Sequence, residues 1–215
     1  MKIKTTFISA KLMIMSLLLC FCAFNANSQT AEEWLQNGET AFENGNYQEA
    51  IEYYEKAIEL KPDYYEAYKN MGNAYCDWNG QYEKAVECYE KAIELNPDYA
   101  DAYFNIGLAY YYWNGQYEKA IGCYEKAVKL KPDAADAYMA MGNDYYLWNG
   151  QYKKAIKCYK KAIKLDPDLA VAYNNMAVCY ASIGKYKKAT SCFKQAAKLG
   201  YEDAIKLLKD MGESW

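Results

Sequence analysis

Residues 98–132 read DYADAYFNIGLAYYYWNGQYEKAIGCYEKAVKLKP, and this stretch is one copy of a unit that recurs along the chain. Four prolines mark the recurrence at intervals of 35 residues: Pro62, Pro97, Pro132 and Pro167. A glycine and a tryptophan recur with the same period, at Gly72, Gly107 and Gly142 and at Trp78, Trp113 and Trp148. A fixed period of this length predicts a repeat array, in which stacked units bury one continuous core.

Each copy contains two segments with the apolar spacing of an amphipathic helix. In the second copy they are residues 64–78 and 82–95, and apolar residues in the latter recur three and four apart. Gly72 and Ala85 are small where the two helices must approach closely. A proline turn ends the second helix, because proline cannot continue it. The pattern therefore predicts a chain of helix pairs.

The order of residues within the unit is equally regular. The second copy has Tyr68, Met71-Gly72 and Tyr75, then Ala85 and Tyr89, then Pro97. This arrangement resembles the tetratricopeptide repeat, whose pattern is an aromatic residue, Leu-Gly, Tyr, then Ala, Phe and Pro. The resemblance covers essentially all of the chain after residue 28, and it weakens in the two terminal units. Ala177 replaces the glycine of the fifth unit, and Asn37 and Ala41 replace an apolar and an aromatic residue of the first.

The resemblance implies an all-α fold, a right-handed solenoid of about five helix pairs followed by a C-terminal capping helix. Its concave surface would be lined by the first helix of each pair. The expected boundaries are a signal peptide at 1–28, a repeat domain at 29–212 and a tail at 213–215. The expected units are 31–62, 63–97, 98–132, 133–167 and 168–201, with the capping helix at 202–212.

Residues 1–28 have the composition of a targeting segment. Three lysines precede the uncharged run Leu12–Phe24, and small residues follow at 26–28, so cleavage is expected before Gln29. The apolar run has about 13 residues, fewer than the ~20 that a spanning helix needs. An uncleaved anchor and a lipoprotein at Cys20 or Cys22 remain alternatives. The mature protein is expected outside the cytoplasm, periplasmic or cell-surface, and bacterial, with no stable membrane span.

The composition argues against catalysis. The chain contains no histidine, which excludes His-dependent triads, dyads and zinc sites. Carboxylates recur at repeat spacing on solvent faces, and no phosphate loop or nucleophile elbow is present. We therefore expect no enzyme activity, no cofactor and no metal.

Six cysteines follow residue 28, and four of them share one position in successive second helices. These four are Cys88, Cys123, Cys158 and Cys192. Equivalent residues of stacked helices lie about 8–10 Å apart, whereas a disulfide needs Cα atoms within about 7 Å. The interpretation is small apolar packing residues, with a pairing of Cys179 to Cys158 or Cys192 left open.

The resemblance also indicates where a ligand would bind. In this family the inward-facing residues of the first helices lie three before the glycine and one, four and five after it, and asparagines two before it can hold a peptide backbone. The candidate groove residues here are Phe42, Lys69, Asn70, Asn73, Phe104, Asn105, Leu108, Tyr111, Tyr112, Met139, Asn143, Tyr146, Asn174 and Asn175. The expected apolar anchors among them are Phe104, Tyr111, Tyr112, Met139 and Tyr146. Ala140 interrupts the asparagine ladder, and Glu32 and Gln36 do not fit the family's clamp for a C-terminal carboxylate.

The tryptophans Trp78, Trp113 and Trp148 form a row at one edge of the predicted solenoid. Three interpretations stay open for this row: caps on the core between helix pairs, a surface for sugars, and a contact for a protein partner.

Charge is distributed unevenly along the repeats. Residues 29–97 have a net charge of −10, residues 98–149 of −3 and residues 150–215 of +7. The interpretations are drift of solvated faces, steering of charged partners, and weak head-to-tail association between molecules. Nucleic acid is not an expected partner, because the lysine-rich strip of the fourth unit has no interleaved groove aromatics.

Together these features predict a non-enzymatic scaffold or adaptor of the cell envelope that binds a protein or peptide in a concave groove. The alternatives are carbohydrate or cell-wall binding through the tryptophan edge, a self-assembling structural element, and an accessory subunit of a larger machine.

Overall fold

The computed structural model describes residues 29–215, which form eleven α-helices and no strand. The helices are α1 (Ala31–Glu43), α2 (Tyr47–Leu60), α3 (Tyr65–Asp77), α4 (Tyr82–Leu95), α5 (Ala100–Tyr112), α6 (Tyr117–Leu130), α7 (Ala135–Leu147), α8 (Tyr152–Leu165), α9 (Ala170–Ser182), α10 (Tyr186–Lys198) and α11 (Glu202–Asp210). The expected all-α solenoid is confirmed. The signal-peptide prediction for residues 1–28 lies outside the described residues.

The helices stack in sequence order as five pairs. Each helix packs against the helix before it and the helix after it, and successive first helices also touch one another. Second helices of neighbouring pairs make no comparable contact within residues 29–215. The stack therefore curves with α1, α3, α5, α7 and α9 on its inner side.

A glycine and a tyrosine hold most pairs together. Tyr54, Tyr89, Tyr124 and Tyr159 are almost fully buried on the second helices. Their rings lie against Gly38, Gly72, Gly107 and Gly142 of the first helices. Each glycine lets the helix backbone approach the face of an aromatic ring, which is why the sequence repeats both residues together.

The middle three pairs share a tight turn with the sequence Trp-Asn-Gly-Gln-Tyr. Its asparagines, Asn79, Asn114 and Asn149, have φ values of 60°, 59° and 55°. This left-handed conformation is one that asparagine tolerates better than most residues. The glutamine side chain after each Asn-Gly donates to the tryptophan carbonyl, at 3.0 Å for Gln116 and Trp113. The residue that the middle units have in addition to the terminal units is thus part of a hydrogen-bonded turn.

Both ends of the stack are capped by local interactions. Thr30 caps α1 through a capping box, because its hydroxyl accepts from the Glu33 amide and the Glu33 carboxylate accepts from the Thr30 amide. At the other end, α11 buries Ala204 and Leu208 against the last pair.

All six cysteines of residues 29–215 are free, including Cys179. None of the helices in this part of the chain has the length and apolar composition that a bilayer-spanning helix needs.

Candidate functional site

The inner face of the stack contains two related pockets. The first lies around the second pair and is lined by Phe42, Asn73, Cys76, Asp77, Tyr82, Tyr89, Asn105, Leu108, Ala109 and Tyr112. The second lies around the fourth pair and is lined by Tyr111, Asn143, Tyr146, Leu147, Tyr159, Asn175 and Val178. Phe42 and Tyr111 hold the same repeat position, as do Asn73 and Asn143. The pockets are therefore one site repeated two units apart, and we call the surface that joins them the inner groove.

Hydrogen-bonded amides form the floor of both pockets. Asn105 Nδ2 donates to Asn73 Oδ1 at 3.0 Å, and the Tyr89 hydroxyl donates to the same oxygen at 2.8 Å. The fourth pair repeats this pattern: Asn143 Oδ1 accepts from Asn175 Nδ2 at 3.1 Å and from the Tyr159 hydroxyl at 2.8 Å. The amides therefore link one unit to the next and fix the pocket floor.

The same two positions carry other residues in the remaining units. Between the third and fourth pairs they are Leu108 and Ala140, an apolar combination in place of the amides. Between the first and second pairs they are Glu39 and Asn70, where Asn70 Nδ2 donates to Glu39 Oε1 at 3.1 Å. Asn70 is only 8% exposed, which differs from the expectation that it holds a peptide backbone. Its side chain instead joins two units.

A buried carboxyl group lies at the boundary between the third and fourth pairs. Asp144 is 1% exposed, and its Oδ2 has no hydrogen-bond partner among residues 29–215. Burial raises the pKa of this carboxyl to about 7. Its charge in turn raises the pKa of Tyr111 and of Tyr124, in addition to the larger effect of their own burial. The carboxyl therefore lies near both rings.

Sequence reasoning did not single out Asp144, although an alignment of the repeats contains a signal for it. The equivalent residues of the neighbouring units are Ala74, Ala109 and Cys179, all small and uncharged. A charged residue at a position that is small elsewhere is the departure that could have been noticed. Tyr82 was missed as well, because its approach to the first pocket depends on the turn that precedes it.

Comparison with known proteins agrees with this architecture. Models of the tetratricopeptide repeat match residues 29–95 and 170–199, and a TPR repeat model matches residues 79–112, 111–148 and 144–184.

The chain belongs to the tetratricopeptide repeat (TPR) family.

Solved TPR structures superpose on most of the chain. A crystal structure of MamA is 28% identical, covers 78% of this chain and 96% of its own, and has a TM-score of 0.70. MamA from Desulfovibrio magneticus RS-1, from residue 41 to its end, is 24% identical with a TM-score of 0.71 and covers 80% and 96%. YrrB, described as a TPR protein with an unusual peptide-binding site, is 22% identical with a TM-score of 0.68 and covers 88% and 97%. No curated protein matches the chain in sequence.

The family and these neighbours support a protein–protein interaction scaffold, and none of the matching family models indicates a catalytic family. Within residues 29–215 there is no cluster of three or more Cys, Asp or Glu side chains that could hold a metal ion.

The TPR groove brings together nine of the predicted site residues. Phe42, Asn73, Asn105, Leu108 and Tyr112 line the first pocket, and Tyr111, Asn143, Tyr146 and Asn175 line the second. Tyr112 is 61% exposed and is the most accessible of the predicted anchors.

The other predicted residues lie outside the two pockets. Phe104 packs against Tyr124 with ring centroids 5.7 Å apart, and Met139 packs against the core of the fourth and fifth pairs. Asn174 donates to Asn175 Oδ1 at 3.3 Å, and Lys69 lines neither pocket. Phe104 thus packs on the second helix of its own pair, and Met139 contributes to packing between units.

The tryptophan row is half-buried in this TPR array. Trp78 packs against the core of the first pair, and Trp148 packs against the core of the third. Trp113 stacks on Tyr110 with ring centroids 6.2 Å apart. Trp78 and Trp148 therefore each cover the core of the preceding pair, as the capping interpretation expects, whereas Trp113 packs on a ring of its own pair.

Proposed function

We propose that this chain is a non-enzymatic adaptor of the bacterial cell envelope, and that its inner groove binds an extended segment or a helix of a partner protein. Export to the periplasm or the cell surface follows from the composition of residues 1–28. Sequencing the N-terminus of the protein recovered from the envelope tests this part, with Gln29 expected as the first residue.

The observation that carries the groove proposal is the repetition of one pocket at a two-unit interval. Neighbouring first helices are in contact, so each unit advances the groove by about 10 Å and the pockets are about 20 Å apart. An extended chain rises about 3.3 Å per residue, so six residues span this distance. A segment with two large apolar side chains six residues apart would place one in each pocket.

The amides on the floor of the first pocket suit a peptide backbone. Asn73 Nδ2 and Asn105 Oδ1 make no hydrogen bond with other residues of 29–215, whereas their other polar atoms are paired. One amide hydrogen and one amide oxygen together match the carbonyl and N–H of a peptide unit. Because the floor is already held in place by hydrogen bonds, little ordering entropy is lost when a partner binds.

A pull-down from envelope extract tests the groove. Wild type is compared with the variant Tyr111→Ala/Tyr146→Ala, after thermal melting shows that the variant unfolds cooperatively. The matched control is Leu130→Ala/Leu165→Ala, two partly exposed apolar residues at the ends of second helices. We expect a protein that wild type and the control capture and the groove variant loses. Capture of the same protein by the groove variant would contradict the proposal.

Head-to-tail association is a second candidate, favoured by the opposite charges of the two ends. The first two pairs are acidic, whereas α8, α10 and α11 carry 12 of the 22 lysines of residues 29–215. Light scattering at 20 mM and 500 mM salt tests it. We expect the average molecular mass to rise with protein concentration at low salt and to stay at the monomer value at high salt.

A further inference from the structure

The buried carboxyl of Asp144 lacks the hydrogen-bond or ion-pair partner that buried charged groups normally have. Buried carboxylates are normally paired or hydrogen-bonded, because an unpaired one loses its hydration without compensation. Asp144 is 1% exposed, and Oδ2 is the one buried side-chain oxygen or nitrogen of residues 29–215 without a hydrogen bond. An unpaired buried oxygen of this kind calls for an explanation, such as a functional role or a bound water or ion.

The position of Asp144 places it next to the inner groove. Ala109, which holds the same position one unit earlier, lines the first pocket. The equivalent space one unit after the first pocket would therefore have Asp144 in its wall. The proximity of its charge to Tyr111, a residue of the second pocket, agrees with this placement.

Tyr111, the groove residue near this carboxyl, contacts two further tyrosines. The rings of Tyr111 and Tyr112 are perpendicular at 4.9 Å, and those of Tyr111 and Tyr117 are tilted at 6.1 Å. Elsewhere in the array a lysine lies over a tyrosine face, as Lys119 does over Tyr110. No lysine of residues 29–215 lies over any of these three rings. Aromatic faces beside a carboxylate are a favourable site for a cation.

The charge of the groove favours a cationic occupant. Glu39, Glu43 and Asp77 hold inward-facing positions of the first two units, against a single lysine at such a position, Lys69. Units three to five contribute no basic residue at the equivalent positions. A basic segment would therefore meet a complementary surface at the first two units and no opposing positive charge at the inward positions of units three to five.

We propose that the groove contains a receptor site for one lysine or arginine side chain of the bound segment, with Asp144 as its counter-ion and Tyr111 and Tyr112 as its aromatic walls. This inference rests on the proposed function and names the chemistry of its partner. Tyr111 turns aside as the cation enters, and the carboxylate gains the charged partner that it lacks in the free protein. Since the carboxyl is already desolvated, binding does not have to remove its hydration.

Three synthetic peptides test the site by fluorescence anisotropy. The first is fluorescein-labelled Gly-Phe-Ala-Lys-Ala-Ala-Ala-Phe-Gly-amide, whose phenylalanines are six residues apart and whose lysine follows the first by two, so that all three side chains share one face of the extended chain. The other two replace its lysine by norleucine or by glutamate. The proteins are wild type, Asp144→Asn, which keeps the side-chain volume, and Asp144→Ala, which restores the residue of the neighbouring units. Glu118→Gln is the control for the loss of one carboxylate, because Glu118 is exposed on α6 and lines neither pocket.

We expect the lysine peptide to bind wild type at least about tenfold more tightly than the norleucine peptide. The preference should disappear in both Asp144 variants and persist in Glu118→Gln. By NMR, the lysine peptide should also lower the pKa of the Asp144 carboxyl, because a nearby cation favours the ionised form.

Three results would overturn the inference. Equal binding of the lysine and norleucine peptides would remove the cation site and leave the groove proposal intact. A lysine preference that survives in Asp144→Asn and Asp144→Ala would assign the cation to another carboxylate. Failure of the lysine peptide to bind at all would also overturn it, and the pull-down with Tyr111→Ala/Tyr146→Ala would decide the groove proposal separately.

Discussion

Gly142 shows at the residue scale why the helix pairs can close. A Cβ atom at this position would stand 2.6 Å from Cε1 of the buried Tyr159 ring. Real contacts of this kind are never so short, so either the ring or the helix has to move. Gly122 on α6 is the opposite case, because it is exposed and a Cβ atom placed at Gly122 would have no neighbour within 4 Å.

These two glycines make a matched pair for mutagenesis. Gly142→Ala should lower the free energy of unfolding by about 1–3 kcal/mol through overpacking. Gly122→Ala should raise it by up to about 1 kcal/mol, since alanine is the better helix former and meets no neighbour. Urea unfolding followed by circular dichroism measures both. An equal gain in stability from the two variants would show that the contact with Tyr159 is unimportant.

Asp144 should make stability depend on pH. Its folded-state pKa of about 7 lies above the ordinary value of 3.8, so the folded protein retains a proton that the unfolded chain releases. Stability should therefore fall as pH rises from about 4 to about 7 and then level off. The groups facing it from α5 and α6 are Tyr111 and Tyr124, whose pKa values are raised further above this range.

Replacing this carboxyl tests the sign of the effect. Asp144→Ala should be more stable than wild type at pH 8, by up to about 4 kcal/mol, and the difference should shrink towards pH 4. The reciprocal variant Ala109→Asp should acquire a similar fall with pH, because Ala109 is fully buried at the equivalent position. Urea titrations at pH 4.5, 6 and 8 give the comparison. A difference that does not change with pH would contradict the assignment.

At the element scale, the turn between the helices of the middle pairs is an independent determinant of stability. Asn114 has φ of 59° and is followed by Gly115 with φ of 62°, so two consecutive residues are left-handed. Tyr117 then packs over Gly115, and Gln116 binds the Trp113 carbonyl. The turn thus holds the first residue of α6 against the ring of Tyr111.

A pair of substitutions isolates the backbone requirement of this turn. Asn114→Ala should cost about 1 kcal/mol, because a left-handed conformation is unfavourable for a residue with an ordinary Cβ. Asn114→Gly should change stability by less than half of that, since glycine adopts positive φ freely. The measurement is the midpoint of thermal unfolding for both variants. Equal destabilisation would mean that the Asn side chain, and not its φ, is what the turn needs.

At the scale of the whole molecule, the protein is a one-dimensional stack whose ends are the weakest points. Each pair contacts only its neighbours, so stability is approximately a sum of unit and interface contributions. The last pair depends on α11, where Leu208 is fully buried and the adjacent Leu207 is 37% exposed.

Two leucine substitutions test the role of this helix. Leu208→Ala should cost about 2–5 kcal/mol locally through the cavity that it leaves. Hydrogen exchange should then speed up in α10 and α11 while α1 to α4 keep their protection. Leu207→Ala, on the exposed side of α11, should leave all regions nearly unchanged. Faster exchange throughout the chain in Leu208→Ala would show that the array unfolds as a single unit.

Much of this architecture could be predicted from the sequence because its causes are local and repeated. The period of 35 residues, the glycine–tyrosine combination and the proline turns each act within one unit or between adjacent units. The stretch 82–95 was predicted as a helix, and α4 spans Tyr82–Leu95. Repetition supplies several copies of the same physical requirement, so a departure in one terminal unit does not obscure the pattern.

The accessible part of the groove was decided only by the tertiary structure. Phe104 and Tyr111 are both aromatic residues at predicted inward positions, yet Phe104 packs on the second helix of its own pair and Tyr111 lines the second groove pocket. The difference depends on which neighbouring side chains fill the space, and those that form the pocket around Tyr111 come from the fourth and fifth units. Asp144 is a second case. The sequence does not show whether its carboxyl is exposed or buried, because that depends on how closely the third and fourth pairs pack and exclude water.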